Sequence, residues 1–125
     1  MKPRLLVVDD EEPILAAIRD YFEAQGYEVD CARELEEAEA LLSHIRYALL
    51  IADLRLTGVH GNEGLELIRF ACDRSPWTRT IVLTGYGSTE IEMEAIGRGV
   101  DAFLQKPQPL AQLVAIADSL TGRSA

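Results

Sequence analysis

The stretch Leu49-Leu50-Ile51-Ala52-Asp53 is an apolar run that ends on a carboxylate, and three further runs also end on polar residues. Leu5-Leu6-Val7-Val8 is followed by Asp9-Asp10, Ile81-Val82-Leu83 by Thr84, and Ala102-Phe103-Leu104 by Gln105-Lys106. Strands that are buried on both faces of a parallel sheet have this apolar character. Ligands bind beyond the carboxyl ends of such strands. The sequence therefore predicts that these polar side chains meet in one cleft.

Strand and helix patterns alternate five times along the chain. We predict strands at 4–9, 27–30, 48–52, 80–83 and 102–104, with helices that begin near 13, 34, 65, 89 and 109 and a loop at 58–64. This alternation indicates an α/β fold, a doubly wound five-stranded parallel sheet with helices on both faces. The expected strand order is the flavodoxin-like 2-1-3-4-5, which places strands one and three at the switch point. Asp9, Asp10 and Asp53 should then lie side by side.

Length and composition limit the possible functions. The chain has 125 residues, which fits one domain, and a net charge of −9, which disfavours direct binding to nucleic acid. No apolar stretch is long enough to span a bilayer and no secretory signal is visible, so we expect a soluble cytoplasmic protein without membrane contact. Cys31 and Cys72 form no C-x-x-C pair and are expected to be reduced thiols. Trp77, after Pro76, is expected to pack partly buried against its loop.

Three carboxylates in one cleft favour a bound cation. They cannot all stay ionised at close range without one, and Mg²⁺ is the usual ion for carboxylate and phosphate oxygens. Asp53 is placed both to touch the ion and to attack a phosphoryl group, which would give an acyl phosphate. The Lys106 ammonium and the Thr84 hydroxyl would contact the other phosphoryl oxygens. A cis Lys106-Pro107 bond is one way to aim the lysine at the strand ends.

Four motifs, in order along the chain, resemble the receiver domain of two-component response regulators. They are Asp9-Asp10, Asp53-Leu54-Arg55, Thr84-Gly85-Tyr86-Gly87 and Phe103-Leu104-Gln105-Lys106-Pro107. The resemblance extends over roughly residues 4–120.

The resemblance implies a phosphoryl acceptor and its metal ligands. Asp53 would receive the phosphoryl group from a phosphohistidine of a sensor kinase or phosphotransfer protein. Asp10 and Asp53 would bind Mg²⁺ directly together with the backbone carbonyl of Arg55, and Asp9 would help through water or a hydrogen bond. The protein would not be an enzyme in the ordinary sense, since at most it would catalyse its own phosphorylation and dephosphorylation.

The resemblance also implies a switch and an output surface. Thr84 and Phe103 would be the switch pair: the hydroxyl moves to the phosphoryl group and the ring turns into the vacated space. The face built from the fourth helix, the fifth strand and the fifth helix would then meet an output domain or protein, or a second copy in a homodimer. Residues 1–121 would be the receiver domain and residues 122–125 a tail or the start of a linker.

The chain departs from the family pattern in the loop beside the phosphoacceptor. Thr57 occupies the place where the family usually has proline. Gly61 matches the family glycine, but Asn62-Glu63-Gly64 follows it before the helical pattern. The loop is therefore expected to be about three residues longer than usual.

Three other functions use a similar fold or a similar set of groups. A phosphorylation-independent interaction domain with receiver architecture stays open. A haloacid-dehalogenase-like phosphatase uses similar groups, but in that family the motif after the first strand is Asp-x-Asp. In this chain Asp9 and Asp10 are adjacent. A flavodoxin-like flavin carrier is disfavoured because the acidic turn Asp9-Asp10-Glu11-Glu12 would repel a phosphate without a metal.

Overall fold

The structure, a computed structural model, describes residues 2–53, 63–84, 97 and 99–123, and only the backbone of residues 63–65 and 84. The predicted fourth helix lies almost wholly outside these residues, and Arg55, Thr57 and Gly61 lie outside them as well.

Five strands form one parallel sheet in the order β2-β1-β3-β4-β5, which confirms the predicted topology. The strands are β1 (Arg4–Val8), β2 (Glu28–Ala32), β3 (Leu49–Asp53), β4 (Arg79–Thr84) and β5 (Ala102–Gln105). The helices are α1 (Glu12–Ala24), α2 (Leu35–His44), α3 (Glu63–Arg74) and the C-terminal helix (Leu110–Thr121). The most apolar strand, β3, is central, as its sequence indicates.

Successive strand residues point to opposite faces of the sheet and so divide the core into two main layers. Leu5, Val7 and Ile51 belong to the layer covered by α1 and the C-terminal helix. Leu6, Val8 and other even-numbered residues of β1 and β3 pack with residues of α2 and α3 on the opposite face. Helices therefore cover both faces, and the sheet is buried between them.

Several element boundaries differ from the predicted ones. β2 continues to Ala32 because Cys31 and Ala32 pair with Val7 and Val8 of β1. α3 begins at Glu63, so two residues of the expected loop extension belong to the helix instead. The C-terminal helix ends as predicted, at Gly122, whose φ of 79° is a left-handed conformation that glycine adopts without strain.

Trp77 is partly covered and partly exposed. The residue is 42% exposed and is the one large hydrophobic side chain in the described part of the chain that is classed as exposed. Cys31 and Cys72 are half-buried and in no disulfide, as predicted. Among the described helices, none has the length and apolar character needed to cross a bilayer.

Candidate functional site

The register of β1 against β3 brings two carboxylates to the same level at the edge of the sheet. Val8 pairs with Ala52, so Asp9 and Asp53 follow equivalent positions on neighbouring strands. Both also fall on the same face of the pleat, two residues beyond Val7 and Ile51 respectively. The sheet geometry therefore makes these two side chains neighbours.

Lys106 bridges the two carboxylates. Its Nζ donates hydrogen bonds to Asp9 Oδ2 at 2.9 Å and to Asp53 Oδ2 at 3.2 Å. Lys106 follows β5 directly, and the Lys106-Pro107 peptide bond is cis. The lysine thus reaches back over the strand ends from the side of the C-terminal helix.

Three acidic residues can share one cation at this edge. One carboxylate oxygen from each of Asp9, Asp10 and Asp53 lies within 4.8 Å of the others. Asp9 is 2% exposed and Asp53 is 8% exposed, whereas Asp10 is half-buried. A compact set of carboxylate oxygens, partly open to solvent, fits a hard divalent ion such as Mg²⁺ that retains some of its water.

Asp9 is held in place by the backbone of its own turn. Its Oδ1 accepts a 2.9 Å hydrogen bond from the Glu11 N–H. Its own N–H donates to the Ala32 carbonyl at 3.1 Å, which extends the β1–β2 pairing by one step. With Oδ2 bound to Lys106, the carboxylate is fixed at both oxygens.

The charges in the cleft alter two pKa values. Burial raises the pKa of Asp10, and the negative charges of Asp9 and Asp53 raise it further, against a lowering by a backbone hydrogen bond. Burial alone would lower the pKa of Lys106, but its hydrogen bonds and ion pairs with Asp9 and Asp53 outweigh this, so the pKa lies above its ordinary value. The lysine therefore stays charged, while the ionised form of Asp10 is disfavoured.

The structure brings together four of the predicted site residues: Asp9, Asp10, Asp53 and Lys106. Phe103 packs partly buried against Ile68 and Val82, away from this cluster of charges. Thr84 is the last residue of β4 and pairs through its backbone with Gln105. Its side chain, like the whole of Arg55, is not among the parts that the structure describes.

One residue beside the site, Arg33, is not among the predicted site residues. Its Nη2 lies 3.5 Å from the Asp10 carbonyl oxygen, and its Nε lies 3.6 Å from the Glu12 carboxylate. Arg33 follows β2, the strand next to β1, so the same rule about strand ends could have identified it. The predicted β2 ends at Asp30, so the sequence pattern does not place Arg33 directly after a strand.

Comparisons with known proteins agree with this architecture. Residues 5–118 match the family model described as the response regulator receiver domain. The photosynthetic apparatus regulatory protein RegA of Cereibacter sphaeroides is 34% identical over 103 residues, which is 82% of this chain and 54% of RegA. The chain thus spans about half the length of that curated relative.

Two solved structures show the same fold. A CheY-like receiver domain protein from Methanospirillum hungatei JF-1 superposes with a TM-score of 0.90 at 31% identity, covering 98% of this chain and 96% of that one. A response regulator from Burkholderia pseudomallei, described with a phosphorylated aspartic acid, a calcium ion and citrate, has a TM-score of 0.85 at 30% identity. It covers 97% of this chain and 69% of that one. The family match and the shared sheet order lead to one conclusion: this chain belongs to the response regulator receiver domain family.

Proposed function

We propose that the chain is a phosphorylation-activated switch whose phosphoacceptor is Asp53. The observation that carries this proposal is the position of the Asp53 carboxylate, at the end of the central strand and 3.2 Å from the Lys106 ammonium. Asp9 and Asp10 lie beside it, close enough to share a cation. A buried nucleophile between a fixed positive charge and a cation site suits phosphoryl transfer, which depends mainly on alignment and charge neutralisation.

In this proposal Asp9, Asp10 and Asp53 hold a Mg²⁺ ion, with the backbone carbonyl of Arg55 as a further ligand. Bound Mg²⁺ would supply positive charge to a phosphoryl oxygen. The hard, closely spaced carboxylate oxygens of the structure support this ion over a softer metal. The Burkholderia relative, described with a phosphorylated aspartic acid and a calcium ion, is consistent with a divalent ion in this proposal.

The transfer step follows from the arrangement of the side chains. An Asp53 carboxylate oxygen forms a bond to phosphorus as the bond from phosphorus to the nitrogen of a donor phosphohistidine breaks. The donor keeps the electron pair of that bond and leaves as neutral histidine after taking up a proton from water. Lys106 exchanges its contact with Asp53 for one with a phosphoryl oxygen and remains charged throughout, and the Thr84 hydroxyl donates to a further oxygen.

An apolar groove beside Lys106 supports a protein as the phosphoryl donor. It runs between α1 and the C-terminal helix and is lined by Ile14, Ala17, Pro107, Leu110 and Leu113, among others. A kinase or phosphotransfer domain that covered this groove would bury apolar surface next to the acceptor. Small phosphodonors would not need the groove, so an Ile14→Glu change should slow transfer from a phosphohistidine domain and leave labelling by acetyl phosphate unaffected.

The output side of the proposal involves Thr84 and Phe103. Movement of the Thr84 hydroxyl to the phosphoryl group would let the Phe103 ring turn inward and reshape the face that includes β5 and the C-terminal helix. That face would bind an output domain or protein, or a second copy of the chain. Residues 1–121 would form the receiver unit in the cytoplasm, followed by a tail or linker at 122–125.

Intact mass spectrometry after incubation with Mg²⁺ and acetyl phosphate tests the phosphoacceptor. We expect one phosphoryl adduct that is labile to base, absent from Asp53→Asn and suppressed by EDTA. Asp30→Asn serves as the matched control. Asp30 lies on β2, away from the cleft, and its carboxylate accepts a hydrogen bond from the Tyr47 hydroxyl.

An adduct of equal yield in Asp53→Asn would assign the phosphosite elsewhere. Failure of both proteins to form any adduct would instead favour a phosphorylation-independent interaction domain. Steady hydrolysis of a simple phosphate ester would favour a phosphatase.

A further inference from the structure

Trp77, the single tryptophan of the chain, is 42% exposed at the edge of the sheet opposite the acidic cleft. It is two residues before β4, whose six residues lead to Thr84 at the other edge. At about 3.3 Å per residue the strand separates the two edges by roughly 20 Å. Nothing in the proposed phosphoryl chemistry uses this end of the molecule. The exposed part of the tryptophan also forgoes the hydrophobic stabilisation that its burial would bring.

The loop that carries Trp77 is held rigidly. The Thr78 hydroxyl donates a 2.8 Å hydrogen bond to the Tyr47 carbonyl, and its N–H donates to the Ser75 carbonyl at 2.9 Å. Ser75 in turn is bound through its N–H to the Ala71 carbonyl at 2.8 Å. Binding through a side chain on such a loop would cost little ordering entropy, because the backbone already has its bound form.

A positive charge covers one face of the exposed ring. The Arg46 guanidinium carbon lies 4.3 Å from the centre of the Trp77 ring, and Arg46 is itself exposed. No carboxylate of the described residues forms an ion pair with Arg46. By contrast, Arg79 on the same edge is neutralised by Asp101 at 3.0 Å. The edge therefore offers an aromatic ring and an uncompensated cation on a domain with a net charge of −9.

We propose that Arg46, Pro76 and Trp77, here called the Trp77 surface, bind an acidic segment of a partner protein that also carries an apolar or aromatic side chain. Tryptophan and arginine are the residues that most often dominate binding energy at protein interfaces. The apolar side chain of the partner would pack on the indole, while its carboxylates would pair with Arg46.

Charge decides between the possible occupants. A second copy would bring another net charge of −9 to the interface, and a nucleic acid would bring a long array of phosphates against the same acidic domain. A short acidic segment needs only local complementarity with Arg46 and avoids most of this repulsion. Because the Trp77 surface lies at the opposite edge, such a segment would bind without blocking the cleft.

The single indole N–H gives one signal in a ¹H–¹⁵N spectrum and reports directly on this surface. The probe is a synthetic peptide with two glutamates on each side of a Leu-Phe pair, titrated into the full chain. We expect a saturable shift of the Trp77 indole signal that weakens at least tenfold in Arg46→Glu, which keeps the reporter but reverses the charge. Arg19→Glu, the same change at an arginine of α1 whose side chain is 42% exposed, should alter the affinity less than twofold.

Three results would overturn the proposal. The first is no saturable shift with the acidic peptide, and the second is an equal affinity for a peptide in which lysines replace the glutamates. The third is a shift of the indole signal on dilution of the protein alone, which would make a second copy the occupant. Labelling by acetyl phosphate in Arg46→Glu should match the wild type, so that this test stays separate from the proposed phosphoryl chemistry.

Discussion

Lys106 Nζ donates a 2.9 Å hydrogen bond to Asp9 Oδ2, although 97 residues separate the two in sequence. The same ammonium lies 3.2 Å from Asp53 Oδ2. Both acids are almost fully buried, and burying a carboxylate is costly unless a positive charge or hydrogen bonds compensate for the lost water. The ammonium group of Lys106 therefore serves as the counter-ion for both carboxylates.

Lys106→Met should therefore destabilise the protein when no metal is present. The change leaves two buried carboxylates without a cation, and we expect a loss of roughly 2 kcal/mol in the free energy of unfolding. Urea denaturation in EDTA measures the loss. The control is Lys2→Met, the other lysine of the chain, which is exposed and should change stability by less than about 0.5 kcal/mol. Equal effects of the two changes would contradict the bridging role.

Asp10→Asn should have the opposite effect on the metal-free protein. Burial and the charges of Asp9 and Asp53 disfavour the ionised form of Asp10, whose pKa is raised, so a neutral amide relieves repulsion. We expect a gain of less than about 1 kcal/mol in EDTA, since solvent screens this half-buried group.

The gain has a defined pH dependence. A raised pKa in the folded state means that the ionised carboxylate costs stability at neutral pH and the protonated one does not. The advantage of Asp10→Asn should shrink as the pH falls towards the ordinary aspartate value of 3.8. Thermal melts with added Mg²⁺ complete the test: the wild type should be stabilised and the variant much less so. Equal stabilisation of both proteins would remove Asp10 from the ligand set.

Tyr47→Phe should lower stability without affecting phosphorylation. The Tyr47 side chain is 1% exposed, and its hydroxyl donates a 2.6 Å hydrogen bond to Asp30 Oδ2. Loss of this bond leaves a carboxylate without its buried donor, at a cost of about 1–2 kcal/mol. Tyr21→Phe is the control, because the half-buried Tyr21 hydroxyl makes no hydrogen bond to any residue described. A smaller loss at Tyr47 than at Tyr21 would refute this assignment.

Phosphorylation should change the reactivity of Cys72. Cys72 and Phe103 pack partly buried against the same pair of buried residues, Ile68 and Val82. In the proposed switch the Phe103 ring turns inward, into the space left by the Thr84 hydroxyl, and so moves away from Cys72. This would uncover the thiol, and its alkylation by iodoacetamide should become at least twofold faster. Mass spectrometry of tryptic peptides measures the rate at each cysteine.

Cys31 is the internal control for this experiment. It is also half-buried but packs against the opposite core layer, beside α1, so its rate should not change. Thr84→Ala should abolish the acceleration at Cys72 while Asp53 is still phosphorylated. An unchanged rate at Cys72 in the phosphorylated wild type would contradict the switching role of Phe103.

Much of the site could be predicted because buried parallel strands are apolar along their whole length. The point at which such a run meets a polar residue marks the end of the strand. Asp9 and Asp53 both stand at such a point, so the pattern predicts that they lie at the same edge of the sheet. The alternation of elements predicts a doubly wound sheet, and the order 2-1-3-4-5 is the common one for a sheet of this size. The Asp9–Lys106 bridge could not be predicted in detail, since it depends on a side-chain conformation and on the local path of the chain at Pro107.

Other features depend on contacts that periodicity does not reveal. β2 is less apolar than the central strands, so its extension to Ala32 becomes visible only from its pairing with β1. The start of α3 at Glu63 was missed because Gly64 looks like a loop residue. The contact of Arg46 with the Trp77 ring is likewise invisible in the sequence pattern, because it joins residues that are far apart in the chain.

The position of β3 constrains how the domain can respond to a modified Asp53. All five residues of β3 are buried, with two strands on either side and helices above and below. A newly attached group at its end cannot be accommodated by displacing the strand, because every direction of movement would disrupt close packing. If Asp53 is the phosphoacceptor, as proposed, the tightly packed central strand would hold the modified residue in a fixed position, and the response would have to arise outside that strand.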